Sequence, residues 1–335
     1  MGLFKTSSAV GLELDTGVIR VAELNKSRKR TTLVRAGQLE IPETAVVEGA
    51  VVQIDTVAIA LEKMWSHYRF TSRNVVMGVA NHGVLMRLAT FPKIKDSQLE
   101  QVVRFQAGEY FPIPVSQLVL DFAVVGTVEE GAAQKVEVLL VAVRRDLLAK
   151  ALAALERARL TPVVIDASPL AAMRTLPRER LLGTAAIVDI ANGLSSLLVV
   201  VGGVPRFARF IPVSLQSHAY YDVNSMSVEV VAGPSQQQKS WQPGEWETAF
   251  INEIRSSLTY AEYQGKGPID SMFLSGPGAR IVGLKEMLQE KFGIPVHIIQ
   301  PCDTIALKTH TGADIETLGP DFTVSVGLAL RGLEE

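Results

Sequence analysis

Residues 10–17 read Val-Gly-Leu-Glu-Leu-Asp-Thr-Gly and run directly into a second apolar stretch at residues 18–24. Residues 186–193 read Ala-Ile-Val-Asp-Ile-Ala-Asn-Gly and run into residues 194–201 in the same way. Each unit has an acid, Glu13 or Asp189, followed four positions later by a glycine, Gly17 or Gly193. Two β-rich runs joined through a glycine predict a hairpin with a tight turn. We therefore expect two similar hairpins, each opening one half of a duplicated α/β protein.

These two turns suggest a phosphate site in a cleft between the halves. A glycine turn lets a ligand approach backbone N–H groups, and a nearby carboxylate can hold a hydrated cation. The alternative stays open here, because hairpins with glycine turns also occur in α/β proteins that bind nothing at them.

The composition is that of a folded protein with more than one core. A chain of 335 residues favours two domains. Its 47% hydrophobic and 20% charged residues exclude extensive disorder. A net charge of −2 excludes a general attraction to nucleic acid or anionic membrane. The basic stretch from Arg20 to Arg35 is interpreted as a solvated hairpin tip, with a weak patch for a membrane surface or an acidic partner as the alternative.

Cysteine usage and hydropathy indicate a cytoplasmic protein. Cys302 is the single cysteine, so no disulfide can form within the chain, as is typical of a reducing compartment. We find neither a signal-peptide pattern nor an apolar run long enough to span a membrane.

The pattern of apolar residues divides the chain into three parts. Residues 1–84, with part of 166–182, are expected to form the first half as three strands, a helix and a further strand. Residues 85–165 are expected to form an inserted small α/β subdomain, and 183–335 the second half. A polar run rich in turn residues predicts a mobile loop near 231–244 within that second half.

Within the insert, the sequence marks both ends of a helix. Ser97 and Glu100 have the spacing of a capping box at the start of that helix. Phe111-Pro112-Ile113-Pro114 ends it, because prolines cannot continue a helix. This turn could also fix the angle of the next strand and so form one wall of a partner groove, and both interpretations remain open.

A second glycine loop, Ser275-Gly276-Pro277-Gly278, lies between a predicted strand and a predicted helix. Such a loop can present helix N–H groups to a phosphate or sugar, although an ordinary connection would look the same. The sequence has neither a Walker-type loop, a full dinucleotide fingerprint nor the spacing of a metal site. It also lacks the basic and aromatic pattern of a nucleic-acid module.

The order of hairpin, insert, second hairpin, glycine loop and final helix resembles the actin-like superfamily. More specifically, the chain resembles the PilM family of type IV pilus assembly proteins. The segments that carry this resemblance are spread over most of the chain: Met1–Lys5, Val10–Glu13, Val21–Leu24, Glu109–Pro114, Leu120–Gly126, Val188–Ile190, Phe273–Ala279 and Gly327–Leu330.

The resemblance implies duplicated actin-like (ribonuclease H-like) domains and a cytoplasmic location at the inner face of the inner membrane. It implies a groove for the cytoplasmic tail of a PilN-like inner-membrane protein, for which the candidate partner residues are Phe111, Pro112 and Ile113. It also implies a site for ATP and magnesium. The candidate cofactor-binding residues are Glu13, Asp15, Thr16, Gly17, Asp189, Gly193, Gly276 and Gly278.

The chain departs from the family at this nucleotide site. Glu13-Leu14-Asp15-Thr16 stands where such proteins usually have Asp-x-Gly-Ser, so that Asp15 puts a negative charge where a triphosphate would sit. Ala191 and Ser214-Leu215 replace further glycines, and the adenine-side subdomain is shortened into residues 220–244. We therefore expect a scaffold with a degenerate nucleotide site. The alternatives are an active ATPase, in which Glu13 and Asp189 position magnesium and water, and the actin-like part of a type II secretion platform.

Overall fold

The computed structural model describes residues 7–27, 30–130, 133–213, 215, 244–263, 267–307 and 318–334. The predicted loop at 231–244 and the shortened segment at 220–244 lie outside the described residues, apart from Gly244. The strands are β1 Ser7–Asp15, β2 Val18–Ser27, β3 Arg30–Glu40, β4 Val46–Val47, β5 Ala50–Val51, β6 Asn74–Val79, β7 Val84–Pro92, β8 Leu118–Glu130, β9 Ala133–Arg144, β10 Thr161–Ala167, β11 Thr184–Asp189, β12 Ser195–Val201, β13 Val204–Ile211, β14 Ser271–Ser275, β15 Val296–Ile298 and β16 Ala306–Leu307. The helices are α1 Ile54–Tyr68, α2 Asp96–Tyr110, α3 Arg145–Arg157, α4 Ser168–Arg174, α5 Glu245–Ala261, α6 Leu284–Phe292 and α7 Thr323–Gly332.

The first half is built on a six-stranded sheet in the order β10-β6-β1-β2-β3-β16. Strands β1, β2 and β3 form an antiparallel meander, and β6 runs parallel to β1. Helix α1 buries Leu61 and Met64 against this sheet, whose strand β1 contributes Val10 and Leu12 to the same core. The helical spacing of apolar residues in α1 predicted this buried face.

The second half repeats the first. Its five-stranded sheet reads β15-β14-β11-β12-β13, which is the order β10-β6-β1-β2-β3 with each strand replaced by its counterpart. Helices α5 and α6 cover one face of this sheet, where Phe250, Ile254, Leu284 and Leu288 are buried. The predicted duplication is therefore confirmed.

The insert has a sheet of its own, in the order β7-β9-β8, with helix α2 on one face. Phe91, Leu99, Val103 and Leu140 form its core. Helix α3 buries side chains in the core of the first half, and β10 pairs with β6. The predicted insert boundary at residue 165 therefore falls inside a strand of the first sheet, whereas the division into domains stays a prediction.

Helices α4 and α7 pack against each other and connect the two halves. All residues of α7 from Thr323 to Ala329 are buried. Gly327 is necessary for this packing, because a Cβ built on it would lie 1.9 Å from the backbone oxygen of Ala171 in α4. Side chains of the second sheet, including Ile187 and Leu198, belong to the core of the first half. The two halves thus share a continuous core away from the hairpin turns.

The predicted capping box at the start of α2 was wrong. The helix begins at Asp96 with Lys95 as its N-cap residue, and no side chain makes a capping hydrogen bond. The Glu100 carboxylate instead accepts a hydrogen bond from Arg104 one turn later, at 3.1 Å from its Nε. Ser97 is therefore the second residue of the helix and not the N-cap residue that a capping box requires.

Candidate functional site

The first hairpin places three charged side chains together at its turn. Glu13 and Asp15 are two residues apart on β1 and therefore lie on the same side of the sheet. Arg20 on β2 stands directly opposite Glu13 in the antiparallel register. All three residues are buried, with relative exposures of 8% for Glu13, 5% for Asp15 and 3% for Arg20. Buried charges at the end of a hairpin indicate a site rather than a solvated turn.

The Asp15 carboxylate binds backbone N–H groups of the second hairpin. Its Oδ2 accepts a hydrogen bond from the N–H of Asn192 at 3.0 Å, and its Oδ1 accepts one from the N–H of Gly193 at 3.1 Å. It also accepts from the N–H of Thr16 at 2.7 Å and from Arg20 Nη1 at 3.4 Å. These four donors form a cradle that suits an anion.

The two hairpin turns are in direct contact around this carboxylate. The side-chain amide of Asn192 donates to the backbone oxygen of Thr16 at 3.1 Å, and Thr16 Oγ1 accepts from the N–H of Glu48 at 3.0 Å. A Cβ built on Gly193 would lie only 2.0 Å from Thr16 Oγ1. Gly17, by contrast, is needed for its left-handed backbone, with φ of 77°. The two turns are therefore closely packed where Gly193 faces Thr16.

The charged side chains at the first turn differ in how many of their polar atoms have hydrogen-bond partners. Arg20 Nη1 lies 3.4 Å from Asp15 Oδ2 and 3.6 Å from Glu13 Oε1. Among the residues that the structure describes, Glu13 Oε2 and Arg20 Nε have no hydrogen-bond partner. Burial raises the pKa of Glu13 well above its ordinary value, although Arg20 acts in the opposite direction. The Asp15 carboxylate, rather than Glu13, is therefore the anion that is fully hydrogen-bonded here.

Asp189 occupies the equivalent position to Glu13 in the second hairpin. It ends β11, and in the parallel register with β14 it stands opposite Ser275. The Ser275 hydroxyl donates to Asp189 Oδ1 at 2.7 Å. Burial raises the pKa of Asp189 from 3.8 to about 6, while the Ser275 hydrogen bond lowers it. This acid is thus buried at the end of β11, where the Ser275 hydroxyl is its hydrogen-bond partner.

The glycine loop after β14 is also turned toward protein groups. The N–H of Gly276 donates to the backbone oxygen of Pro320, and the N–H of Gly278 donates to that of Ile190, both at 3.0 Å. A Cβ on Gly276 would lie 2.6 Å from the same Ile190 oxygen. These glycines allow the loop to pack on the end of β11, and their N–H groups are occupied in doing so.

The structure therefore gathers all eight predicted cofactor-site residues around the facing turns, and it leaves their cofactor role untested. At the cradle, the Asn192 and Gly193 N–H groups both donate to the Asp15 carboxylate. Within the described ranges, no group of three His, Cys, Asp or Glu side chains is arranged to hold a metal ion.

The predicted partner residues lie on the insert at the end of α2. Phe111 is buried in the insert core, Pro112 is exposed and Ile113 is half-buried. The Phe111 ring therefore anchors the turn, and only Pro112 and Ile113 are accessible at the surface. Their role in partner binding stays a prediction.

Sequence reasoning missed three side chains of this site, namely Arg20, Asn192 and Ser275. The interpretation of Arg20 as part of a solvated hairpin tip was wrong, because this side chain is buried next to Glu13 and Asp15. A guanidinium within a mainly apolar strand indicates a buried acid nearby. Asn192 precedes the turn glycine, where asparagine commonly orders a turn. Ser275 ends a strand next to the one that ends in Asp189. Each of these signals is readable in the sequence, but none identifies the partner residue.

Comparison with known proteins identifies the family. The type IV pilus assembly protein PilM family matches residues 11–210 and 242–333. The chain belongs to this family. The matched residues include both hairpins, the insert, the glycine loop and the final helix.

Solved structures support the same assignment. A chain of the PilM-PilN type IV pilus biogenesis complex is 26% identical, with a TM-score of 0.80 over 98% of this chain and 99% of that one. The ethanolamine utilization protein EutJ from Carboxydothermus hydrogenoformans is 13% identical, with a TM-score of 0.50 over 98% of this chain and 91% of that one, which shows the fold alone. The predicted actin-like fold is confirmed.

In the part of the chain that the structure describes, no helix has the length and apolar composition of a membrane span.

Proposed function

We propose that this protein is a scaffold of type IV pilus assembly at the cytoplasmic face of the inner membrane, where it binds the cytoplasmic tail of a PilN-like membrane protein. The observation that carries the proposal is the similarity to a chain of the PilM-PilN complex over nearly the whole of both chains. That similarity covers 98% of this chain and therefore includes the insert, which is the part that we propose to bind the partner.

The insert is the part that we propose to receive the tail. Strand β8 forms a free edge of the insert sheet, pairing only with β9 among the described residues. Phe105 on the outer face of α2 is 89% exposed, and the same helix ends in the Phe111-Pro112-Ile113 turn. An exposed aromatic ring on a helix that ends in a turn with an accessible proline and isoleucine is typical of a protein-binding surface.

Binding of the tail is tested by fluorescence anisotropy with a labelled peptide of the PilN-type tail from the same organism. We expect Phe105→Ala to weaken binding about tenfold or more, since aromatic anchors carry much of the affinity of an interface. Tyr263→Ala is the matched control, because Tyr263 is 88% exposed on the second half. Equal binding by the two variants would contradict the proposed surface, and no binding to the parent would contradict the proposed function.

The second part of the proposal is that the nucleotide site is degenerate. It is supported by the Asp15 carboxylate in the N–H cradle and by the glycine loop, whose Gly276 and Gly278 N–H groups bond to carbonyls. A triphosphate next to this carboxylate would be repelled by about a kcal/mol or more. It would also lose the backbone contacts that a micromolar affinity requires.

Calorimetric titration of the purified protein with MgATP tests this second part. We expect no measurable heat of binding at micromolar concentrations. Low-micromolar binding would instead favour an active ATPase.

A further inference from the structure

We infer that Asp15 is a built-in substitute for a bound phosphate, a clasp that closes the two halves on each other without a nucleotide. This inference deepens the proposed function, on which it rests for the degenerate site, by naming the group that replaces the nucleotide.

The first argument is the chemistry of the cradle. Two of the four groups that donate to Asp15 are backbone N–H groups of the opposite hairpin, from residues that lie 177 and 178 positions further along the chain. A carboxylate and a phosphate both present oxygen acceptors to such N–H groups. The cradle thus retains the donors of an anion site, while its anion is supplied by the chain itself.

The second argument is the tightness of the closure. Asn192 donates to Thr16 across the same contact, and Gly193 leaves no space for even one methyl group against Thr16. The Asp15 side chain is only 7% exposed, so water does not compete freely for these hydrogen bonds. A clasp made in this way holds the turns together at any nucleotide concentration.

The third argument is that the clasp can be opened without unfolding the protein. The halves are joined separately by α4 and α7, whose contact at Gly327 and Ala171 does not involve Asp15. Removing the carboxylate should therefore expose the cradle and leave the shared core in place.

The test is backbone amide hydrogen exchange in the nucleotide-free protein, comparing the parent with Asp15→Ala. We expect the N–H groups of Asn192 and Gly193 to exchange about tenfold to a hundredfold faster in the variant. The N–H groups of Ile190 and Gly278, which bond to backbone oxygens instead, should keep the rates of the parent. Faster exchange at all four would mean general loosening, and unchanged exchange at Asn192 and Gly193 would mean no clasp. Either result would overturn the inference.

Inorganic phosphate and MgATP are the probes for the cradle once the Asp15 carboxylate has been removed. Millimolar phosphate should restore the protection of Asn192 and Gly193 in Asp15→Ala and in Asp15→Gly, while leaving the parent unchanged. Asp15→Asn retains one oxygen acceptor and the size of the side chain, so it should show an intermediate rate even if the smaller variants fold poorly. Protection of the parent by phosphate, or no protection of any variant, would contradict a cradle that accepts anions.

Glu13→Gln is the matched control for charge. It neutralises the other carboxylate facing Arg20, which does not touch the Asn192 and Gly193 N–H groups. If Asn192 and Gly193 exchanged as fast in Glu13→Gln as in Asp15→Ala, the effect would be due to charge alone, and the clasp would be overturned. Tail-peptide binding is measured on the same proteins, so that a parent that fails to bind the peptide but shows the exchange pattern contradicts the proposed function and not the clasp.

Discussion

The two hairpin turns have matching sequences and opposite roles. The first turn contributes a carboxylate, Asp15, and the second contributes the N–H groups of Asn192 and Gly193 that bind it. Their glycines also differ, because Gly17 is needed for a left-handed backbone and Gly193 for the space beside Thr16. Duplicated units can therefore diverge into complementary halves of one contact while their residue pattern stays recognisable.

The largest effect is expected from removing the cation of the first turn. Arg20→Met would leave the Asp15 carboxylate buried without its guanidinium, and loss of one partner of a buried pair costs about 3–5 kcal/mol. Arg280→Met is the control, since Arg280 pairs with Asp321 while its side chain is 33% exposed, and should cost about 1 kcal/mol or less. Urea denaturation measures both free energies of unfolding. Similar losses of unfolding free energy in the two variants would mean that Arg20 stabilises the first turn no more than Arg280 stabilises its partly exposed ion pair.

The acid of the second hairpin should make stability depend on pH. Since the folded-state pKa of Asp189 is about 6 against 3.8 ordinarily, the folded protein holds a proton in this window that the unfolded chain has released. The free energy of unfolding should therefore fall as pH rises from about 4 to 6, by up to about 3 kcal/mol from this group.

Asp189→Asn should remove that part of the slope. Denaturation of parent and variant at several pH values between 4 and 7 checks this, and the variant should gain stability relative to the parent as pH rises. Glu13→Gln should remove a further part, because the pKa of Glu13 is also raised by burial. A stability difference that is constant across this range would refute the assignment to Asp189.

The glycines of the two turns should respond differently to the same substitution. Gly17→Asn should cost about 1 kcal/mol or less, because asparagine adopts the left-handed region and the nearest atom to its Cβ would be 3.5 Å away. Gly193→Asn should cost about 1–3 kcal/mol, because its Cβ would lie 2.0 Å from Thr16 Oγ1. Thermal unfolding of the two variants measures this difference, and a reversed order would show that the turns are not in contact.

The architecture could be predicted from the sequence because it depends on local patterns. The β-rich runs joined through a glycine, the helical spacing in α1 and the glycine loop after β14 all predicted elements that the structure contains. The position of residue 165 inside a strand of the first sheet was harder to predict from the sequence, because the pairing of β10 with β6 joins residues far apart in the chain. The capping box failed for a local reason, because the helix begins at Asp96 and Ser97 is therefore not its N-cap residue.

The candidate site could be located but not explained from the sequence. The acids and glycines of both hairpins lie in and beside the two turns, as the sequence predicted, while their cofactor role stays a prediction. That Asp15 binds Asn192 and Gly193 depends on how the two halves approach each other, which no local pattern encodes. An acid in a glycine position predicted that a phosphate would be repelled. That this acid replaces the phosphate could be inferred only from the distances between Asp15 and the N–H groups of Asn192 and Gly193.

The smallest effect is expected at Ser275, and it tests how the second hairpin holds its acid. Ser275→Ala removes the hydroxyl that donates to Asp189 Oδ1, so the pKa of Asp189 should rise above about 6. The cost should be about 1 kcal/mol at pH 7, where Asp189 is ionised and loses this hydrogen bond, and smaller at pH 4, where it is protonated. Ser257→Ala is the matched control, because Ser257 is equally buried and donates to the backbone oxygen of Glu253. Its cost should not change between these pH values, since that acceptor does not titrate. If the cost of Ser275→Ala also did not change with pH, Asp189 would not be the acid that makes the free energy of unfolding depend on pH. The Ser275 hydroxyl would then not stabilise the ionised Asp189 carboxylate.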